Sequence, residues 1–126
     1  MNIPDNLKYT RDHEWIRTEG EVAFAGITDF AQGELGDIVF VEIETEGEKL
    51  EKGEVFGTIE AVKTVSDVFM PVSGEVEEVN SVLNDHPELI NKDPYGEGWM
   101  IRIRMTKSPE LDELLSPAEY RDMLSA

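Results

Sequence analysis

Apolar and polar residues alternate along much of this chain. Trp99, Ile101, Ile103 and Met105 alternate with Met100, Arg102 and Arg104, and Val39, Val41 and Ile43 with Phe40, Glu42 and Glu44. Val55, Gly57, Ile59 and Ala61 do the same against Phe56, Thr58, Glu60 and Val62. Successive side chains of a strand point to opposite faces, so each run predicts a strand with one buried face. Shorter apolar pieces over 15–17, 22–25, 68–70 and 75–79 predict further strands. Glycines 20, 47, 53 and 74 punctuate them as turns. Many short strands at such spacing predict a small sandwich or barrel.

Helices are accessories in this pattern. Thr28 can cap a short helix over 29–35, with Gly36 as its terminator. Residues 80–91 carry some helical spacing at Val82 and Leu83, which Pro87 interrupts. Ser108-Pro109 opens a turn bearing Leu111, Leu114 and Leu115. Ser116-Pro117-Ala118-Glu119 is a capping box with proline at the first helical position. The stripe of Tyr120, Met123 and Leu124 behind it predicts a terminal helix docked on the sheets. No linker or repeat divides residues 1–126, so one domain is expected.

Composition narrows the function. The 126 residues include no cysteine, which excludes disulfides, a thiolate zinc site and a cysteine nucleophile. The apolar runs fall far short of a membrane span, and the first residues show neither a signal-peptide nor a transit pattern. A cytoplasmic protein with no membrane partner is expected. The net charge is −17, and between residues 18 and 48 stand nine acids with no Lys or Arg. Such a field repels nucleic acid and favours partners with basic surfaces. His13 and His86 have no spaced partners for a metal, and Gly96-Glu97-Gly98 lacks the context of a phosphate loop. Trp15 and Trp99 are expected as core anchors.

One lysine changes the picture. Lys63 is the only Lys or Arg between Lys52 and Lys92, and strand-forming residues flank it on both sides. A hairpin there would present a primary amine at its tip, where a modifying enzyme can attach a prosthetic arm.

The surrounding residues identify a family. Leu7-Lys8-Tyr9, His13-Glu14-Trp15, Gly26-Ile27-Thr28-Asp29, Ala31-Gln32, Leu35-Gly36-Asp37-Ile38-Val39 and the Lys63 segment from 60 to 66 occur in order. Pro71-Val72-Ser73-Gly74-Glu75-Val76, Val79-Asn80, Pro87-Glu88-Leu89-Ile90-Asn91, Asp93-Pro94-Tyr95-Gly96, Gly98-Trp99, Leu114-Leu115 and Tyr120 continue the set. Together they closely resemble the H-protein of the glycine cleavage system over nearly the whole length.

The resemblance implies a mainly β fold, a flattened barrel-sandwich hybrid of the biotinyl/lipoyl hairpin kind, with short flanking helices including a C-terminal one. It implies lipoate in amide linkage on Lys63, with Glu60 and Gly74 matching the acid and glycine of the attachment-recognition pattern. Glu14 and Asp67 match the candidates for stabilising the aminomethyl intermediate. The implied role in glycine catabolism and one-carbon metabolism is a carrier, not an enzyme, with no catalytic side chain and no metal. Its implied partners are a pyridoxal-phosphate glycine decarboxylase, a tetrahydrofolate-dependent aminomethyltransferase, a dihydrolipoyl dehydrogenase, and a lipoate ligase or lipoyl/octanoyl transferase. A monomer suits a shuttle that visits several active sites. Three departures stand out: Ala61 where the family often has serine, Ile43-Glu44 where it often has Leu-Pro, and Glu34 where many members carry histidine. The alternatives are a lipoate donor in a relay to 2-oxoacid dehydrogenases and a biotin carboxyl-carrier domain. The latter family favours methionine on both sides of its lysine, where Val62 and Thr64 stand here.

Overall fold

The two-residue period resolves into two antiparallel sheets in the computed structural model, which describes residues 1–125. Strands β1 (Lys8–Tyr9), β2 (Glu14–Glu19) and β3 (Val22–Ile27) lead into helix α1 (Asp29–Leu35). Next come β4 (Ile38–Glu42), β5 (Lys49–Leu50), β6 (Val55–Ala61), β7 (Val65–Phe69) and β8 (Gly74–Val79). Two single-turn helices, α2 (Val82–Asp85) and α3 (Leu89–Lys92), precede β9 (Ile101–Met105). A 3-10 turn (Ser108–Glu113) and the terminal helix α4 (Pro117–Ser125) complete the order.

The larger sheet runs β1-β2-β3-β9-β8-β5 and the smaller β4-β6-β7. Ala23, Ala25, Ile101 and Ile103 of the first and Val41, Ile59 and Val68 of the second bury into one shared core. The sheets form a flattened sandwich without closing into a barrel. A second cluster of Leu7, Tyr9, Trp15 and Tyr120 lies under α4. There the Tyr9 and Tyr120 rings stack with centroids 4.7 Å apart. The capping box forms as expected: Glu119 accepts from the Ser116 amide at 2.8 Å, and Ser116 Oγ from the Glu119 amide at 3.2 Å. Pro87 does interrupt 80–91, leaving α2 and α3 on either side of it. No described helix is long and apolar enough to cross a membrane.

Strict alternation misplaces Val39, Val55 and Phe56 around two bulges, and Met100 ahead of β9. The register shifts between Ile38 and Phe40 and between Val55 and Gly57. A bulge inserts an unpaired residue and turns the next side chain to the other face. Val39 and Phe40 are consequently both exposed, at 50% and 48%, while Phe56 is buried. Strands β1 and β5 escape the sequence pattern because each has two residues, too few to show a period. Strand β7 begins at Val65, three residues before its first buried valine.

Gly74 opens β8 opposite Leu50 and Met105. A Cβ there would run into the Arg104 carbonyl oxygen and lie 2.6 Å from Ile103 Cγ2. Close passage of β8 past β9 thus requires a residue without a side chain.

Candidate functional site

Strands β6 and β7 pair from Val55–Phe69 to Glu60–Val65, so the chain must reverse over residues 62–64. The Ala61 amide donates to the Thr64 carbonyl at 2.8 Å and closes that turn. Val62, Lys63 and Thr64 are all exposed. The tip is not free to wander, because the Val62 amide donates to the Asp37 carbonyl at 3.0 Å. Lys63 therefore projects from a short turn tied at its base to the segment between α1 and β4.

Helix α1 is the platform beside it. Thr28 caps the helix through its hydroxyl, which accepts from the Ala31 amide at 3.2 Å. Gly36 ends it at φ +80, a left-handed conformation that favours glycine. The Lys63 stem runs over this end, with Cε 3.5 Å from where a Gly36 Cβ would sit. Asn91 staples the same junction. Its amide nitrogen donates to Gln32 Oε1 and the Gly36 carbonyl, both at 2.9 Å, and its oxygen accepts from the Ile38 amide at 3.0 Å.

Between α1, the start of β2 and the β6–β7 hairpin opens a cleft of about 250 Å³. Ile27, Ala31, Leu35, Ile59 and Val68 give it an apolar wall, and Phe30 adds a ring. Asp12, Glu14, Glu34 and Asp67 supply carboxylates, while no Lys or Arg lines it among the described residues. An apolar trough with a negative rim suits a flexible apolar chain that ends in a cation.

Glu14 has the most altered chemistry in this cleft. It is 2% exposed, and burial pushes its carboxyl up to about 7. Two hydrogen bonds oppose that shift, from Thr10 Oγ1 at 2.6 Å and the Phe69 amide at 3.2 Å. A carboxyl held there changes charge near neutral pH, which makes it responsive to an arriving cation. Its neighbour His13 adopts φ +68, rare for a residue with a side chain. The Tyr120 hydroxyl holds His13 Nδ1 at 2.8 Å and Thr28 Oγ1 at 2.8 Å. His13 also packs on Phe30 with ring centroids 4.7 Å apart, and burial lowers its imidazole pKa. One phenol on α4 thereby joins the start of β2 to the start of α1.

The residues singled out by sequence do not all converge. Lys63 is at the tip, Glu60 is exposed near the end of β6, and Glu14 and Asp67 line the cleft. Gly74 belongs to the other sheet and has a packing reason of its own. Sequence reasoning missed Asn91 and the contact of His13 with Tyr120 across 107 positions. The only signal for either was membership in an ordered set of family residues. Trp15 is the expected core anchor, fully buried with Nε1 donating to the Pro94 carbonyl at 2.9 Å.

Comparison with known proteins finds relatives along nearly the whole chain. Residues 7–126 match the family described as Glycine cleavage H-protein. The chain is 61% identical over 126 residues to the "Glycine cleavage system H protein" of Bacteroides fragilis, covering 100% of both chains. It is 58% identical to the protein of that name from Chlorobium limicola, covering 98% of each. The crystal structure of a glycine cleavage system H protein from Mycobacterium marinum superposes with a TM-score of 0.89 at 40% identity. That match covers 98% of this chain and 100% of the other.

Proposed function

The chain belongs to the glycine cleavage H-protein family, and on that footing we propose that it is the lipoyl carrier of the glycine cleavage system, with Lys63 as the N6-lipoyl attachment site. The observation that carries this reading is an exposed amine whose stem lies over the end of the helix walling an apolar, acid-rimmed cleft. Lipoate on that amine would supply a disulfide able to accept a one-carbon amine unit and to be regenerated from the dithiol.

The residues present fit such a group. The Ala61–Thr64 and Val62–Asp37 hydrogen bonds fix the root of the tether and leave Nζ open to an acylating enzyme. Ile27, Leu35, Ile59 and Val68 offer an aliphatic arm a surface away from water. Glu14 and Asp67 hold a cationic amine brought into the cleft, the first by charge-assisted hydrogen bonds from a desolvated position. Glu34 adds a third carboxylate to the same trough. None of these side chains attacks or protonates a substrate, so the protein acts as a carrier and not as an enzyme. Glu60 serves recognition by the attaching enzyme, and Gly74 lets β8 pass close to β9.

A tether raises the effective concentration of its cargo at each enzyme it visits. Those partners are the glycine decarboxylase, the aminomethyltransferase, the dihydrolipoyl dehydrogenase and the lipoate-attaching enzyme. The net charge of −17 steers the carrier, a cytoplasmic monomer, toward basic surfaces on each. Membership in the H-protein family sets aside the biotin-carrier alternative. Incubation with lipoate ligase, lipoate and ATP tests the reading: intact mass should rise by one lipoyl group, with none on Lys63→Arg. A lipoyl group found on any other lysine would overturn it.

A further inference from the structure

We infer that the bulged outer face of the three-stranded sheet, formed by Val39, Phe40 and Val65 around Glu60, is where the lipoate-attaching enzyme docks. The inference rests on the reading of Lys63 as the attachment site. Seven large apolar side chains are exposed among the described residues, and four of them gather at this end of one sheet. They are Val39 at 50%, Phe40 at 48%, Val62 at 76% and Val65 at 64%. The register aligns them. Phe40 stands opposite Glu60, and Glu60 opposite Val65. Directly opposed residues of antiparallel strands share a face, so the row reads apolar, acidic, apolar. Strict alternation would expose only one of Val39 and Phe40; the bulge exposes both, on an edge strand. An uncovered apolar edge invites association, which marks the surface as one that binds.

Reach identifies the occupant. The amine of a bare lysine stands only about 6 Å from its Cα, so the acylating enzyme must press its pocket onto the turn itself. An ordinary interface covers about 800 Å² on each partner, a patch about 16 Å in radius. Centred on Lys63, it takes in Val65 and also Phe40, two strand spacings or about 10 Å further across the sheet. After loading, the arm adds on the order of a dozen ångströms, and later partners no longer need to cover this face. The apolar wall of the cleft lies on the opposite face, where Ile59 and Val68 are buried, and a bare lysine has no use for it. Exposed carboxylates at Asp37, Glu42 and Glu60 frame the apolar row. The docking enzyme therefore presents an apolar patch bordered by Lys or Arg around its acyl pocket. In the step served, Nζ loses a proton and attacks the carbonyl of an acyl adenylate. The N–C bond forms, the C–O bond to the phosphate breaks, and AMP leaves with the electron pair as nitrogen releases a second proton.

The test uses the full-length apo chain with lipoate ligase, lipoate and ATP, followed by intact mass. A Val39→Thr/Phe40→Thr double variant should load with kcat/KM lowered about tenfold, the ratio that about 1.4 kcal/mol of lost interface contact gives. Val65→Thr, on a different strand, should slow loading in the same sense and guards against misfolding of the double variant. Each variant, loaded to completion by long incubation, should be reduced by dihydrolipoyl dehydrogenase with NADH at the wild-type rate. Wild-type loading rates in both variants would overturn the inference while leaving Lys63 as the attachment site. Equal slowing of loading and of reduction would make the face a general docking surface and also overturn it. A wild-type dimer that the double variant dissolves would assign the face to a second copy instead. Failure of the wild-type chain to load at Lys63 would sink the carrier reading itself.

Discussion

The aromatic cluster under α4 and the hairpin tip both rest on antiparallel strands, one on each sheet, and are finished in opposite ways. In the cluster, Tyr9, Trp15 and Tyr120 are fully buried and their polar atoms are all matched. Tyr9 Oη donates to the Pro4 carbonyl at 2.6 Å, Trp15 Nε1 to the Pro94 carbonyl at 2.9 Å, and Tyr120 Oη meets His13 and Thr28. At the tip, Val62, Lys63 and Thr64 stand in solvent beside an apolar row that nothing covers. The first region fixes the positions of β2 and α1; the second offers one amine and a surface for others to grip. A carrier needs both, because a tether delivers its load reproducibly only from a rigid root. His13 and Glu14 stand at the join, one held by the cluster and the other lining the cleft.

The sharpest way to break this division is at the amine. Lys63→Arg should abolish lipoylation and glycine-dependent exchange with the decarboxylase, with the melting temperature moved by no more than about 2 °C. A protein active after that change would dissolve the functional half of the comparison. The mirror experiment is Tyr120→Ala, which empties a fully buried aromatic site and should cost about 3–5 kcal/mol in urea unfolding. Lys63 should still be acylated under conditions where that variant stays folded. Loss of acylation in the folded variant would show that the two regions are not separable.

Glu14 probes the join through pH. Its folded carboxyl titrates at about 7 against an ordinary value of 4.5, and burial is the cause. A raised acid contributes stability that is fully present below the unfolded pKa and lost as pH rises through the folded one. Stability should therefore fall between about pH 4.5 and 7 by on the order of 3 kcal/mol from this group alone. Glu14→Gln should flatten that slope in denaturation measured across the window; an unchanged slope would contradict the burial argument. A cation in the cleft favours the carboxylate, so retention of an amine-bearing arm should strengthen as pH rises through about 7. The smallest effect is at the helix end. Gly36→Ala places a side chain at φ +80 and should cost about 1–2 kcal/mol, with its methyl meeting the Lys63 stem.

Much of this was legible because it is local. The hairpin about Lys63 follows from alternation on both sides of a single turn, and α1 from a capping threonine and a terminating glycine eight positions apart. The capping box at Ser116 and the break at Pro87 are likewise written in neighbouring residues. What escaped depends on distance in sequence. Glu14 reads as an ordinary strand acid, and only the Phe69 amide, 55 positions away, and the surrounding burial make it a desolvated carboxyl. The bulge at Val39 is a matter of register with β6, which periodicity in β4 alone cannot specify. Asn91 braces the platform across 53 to 59 positions, with no local pattern to announce it.

Peptide mass mapping of the chain recovered from cells that are oxidising glycine tests the central claim most directly. The carrier account predicts a lipoyl group in amide linkage on Lys63 and on no other lysine. Protein recovered from such cells with Lys63 uniformly unmodified would contradict it.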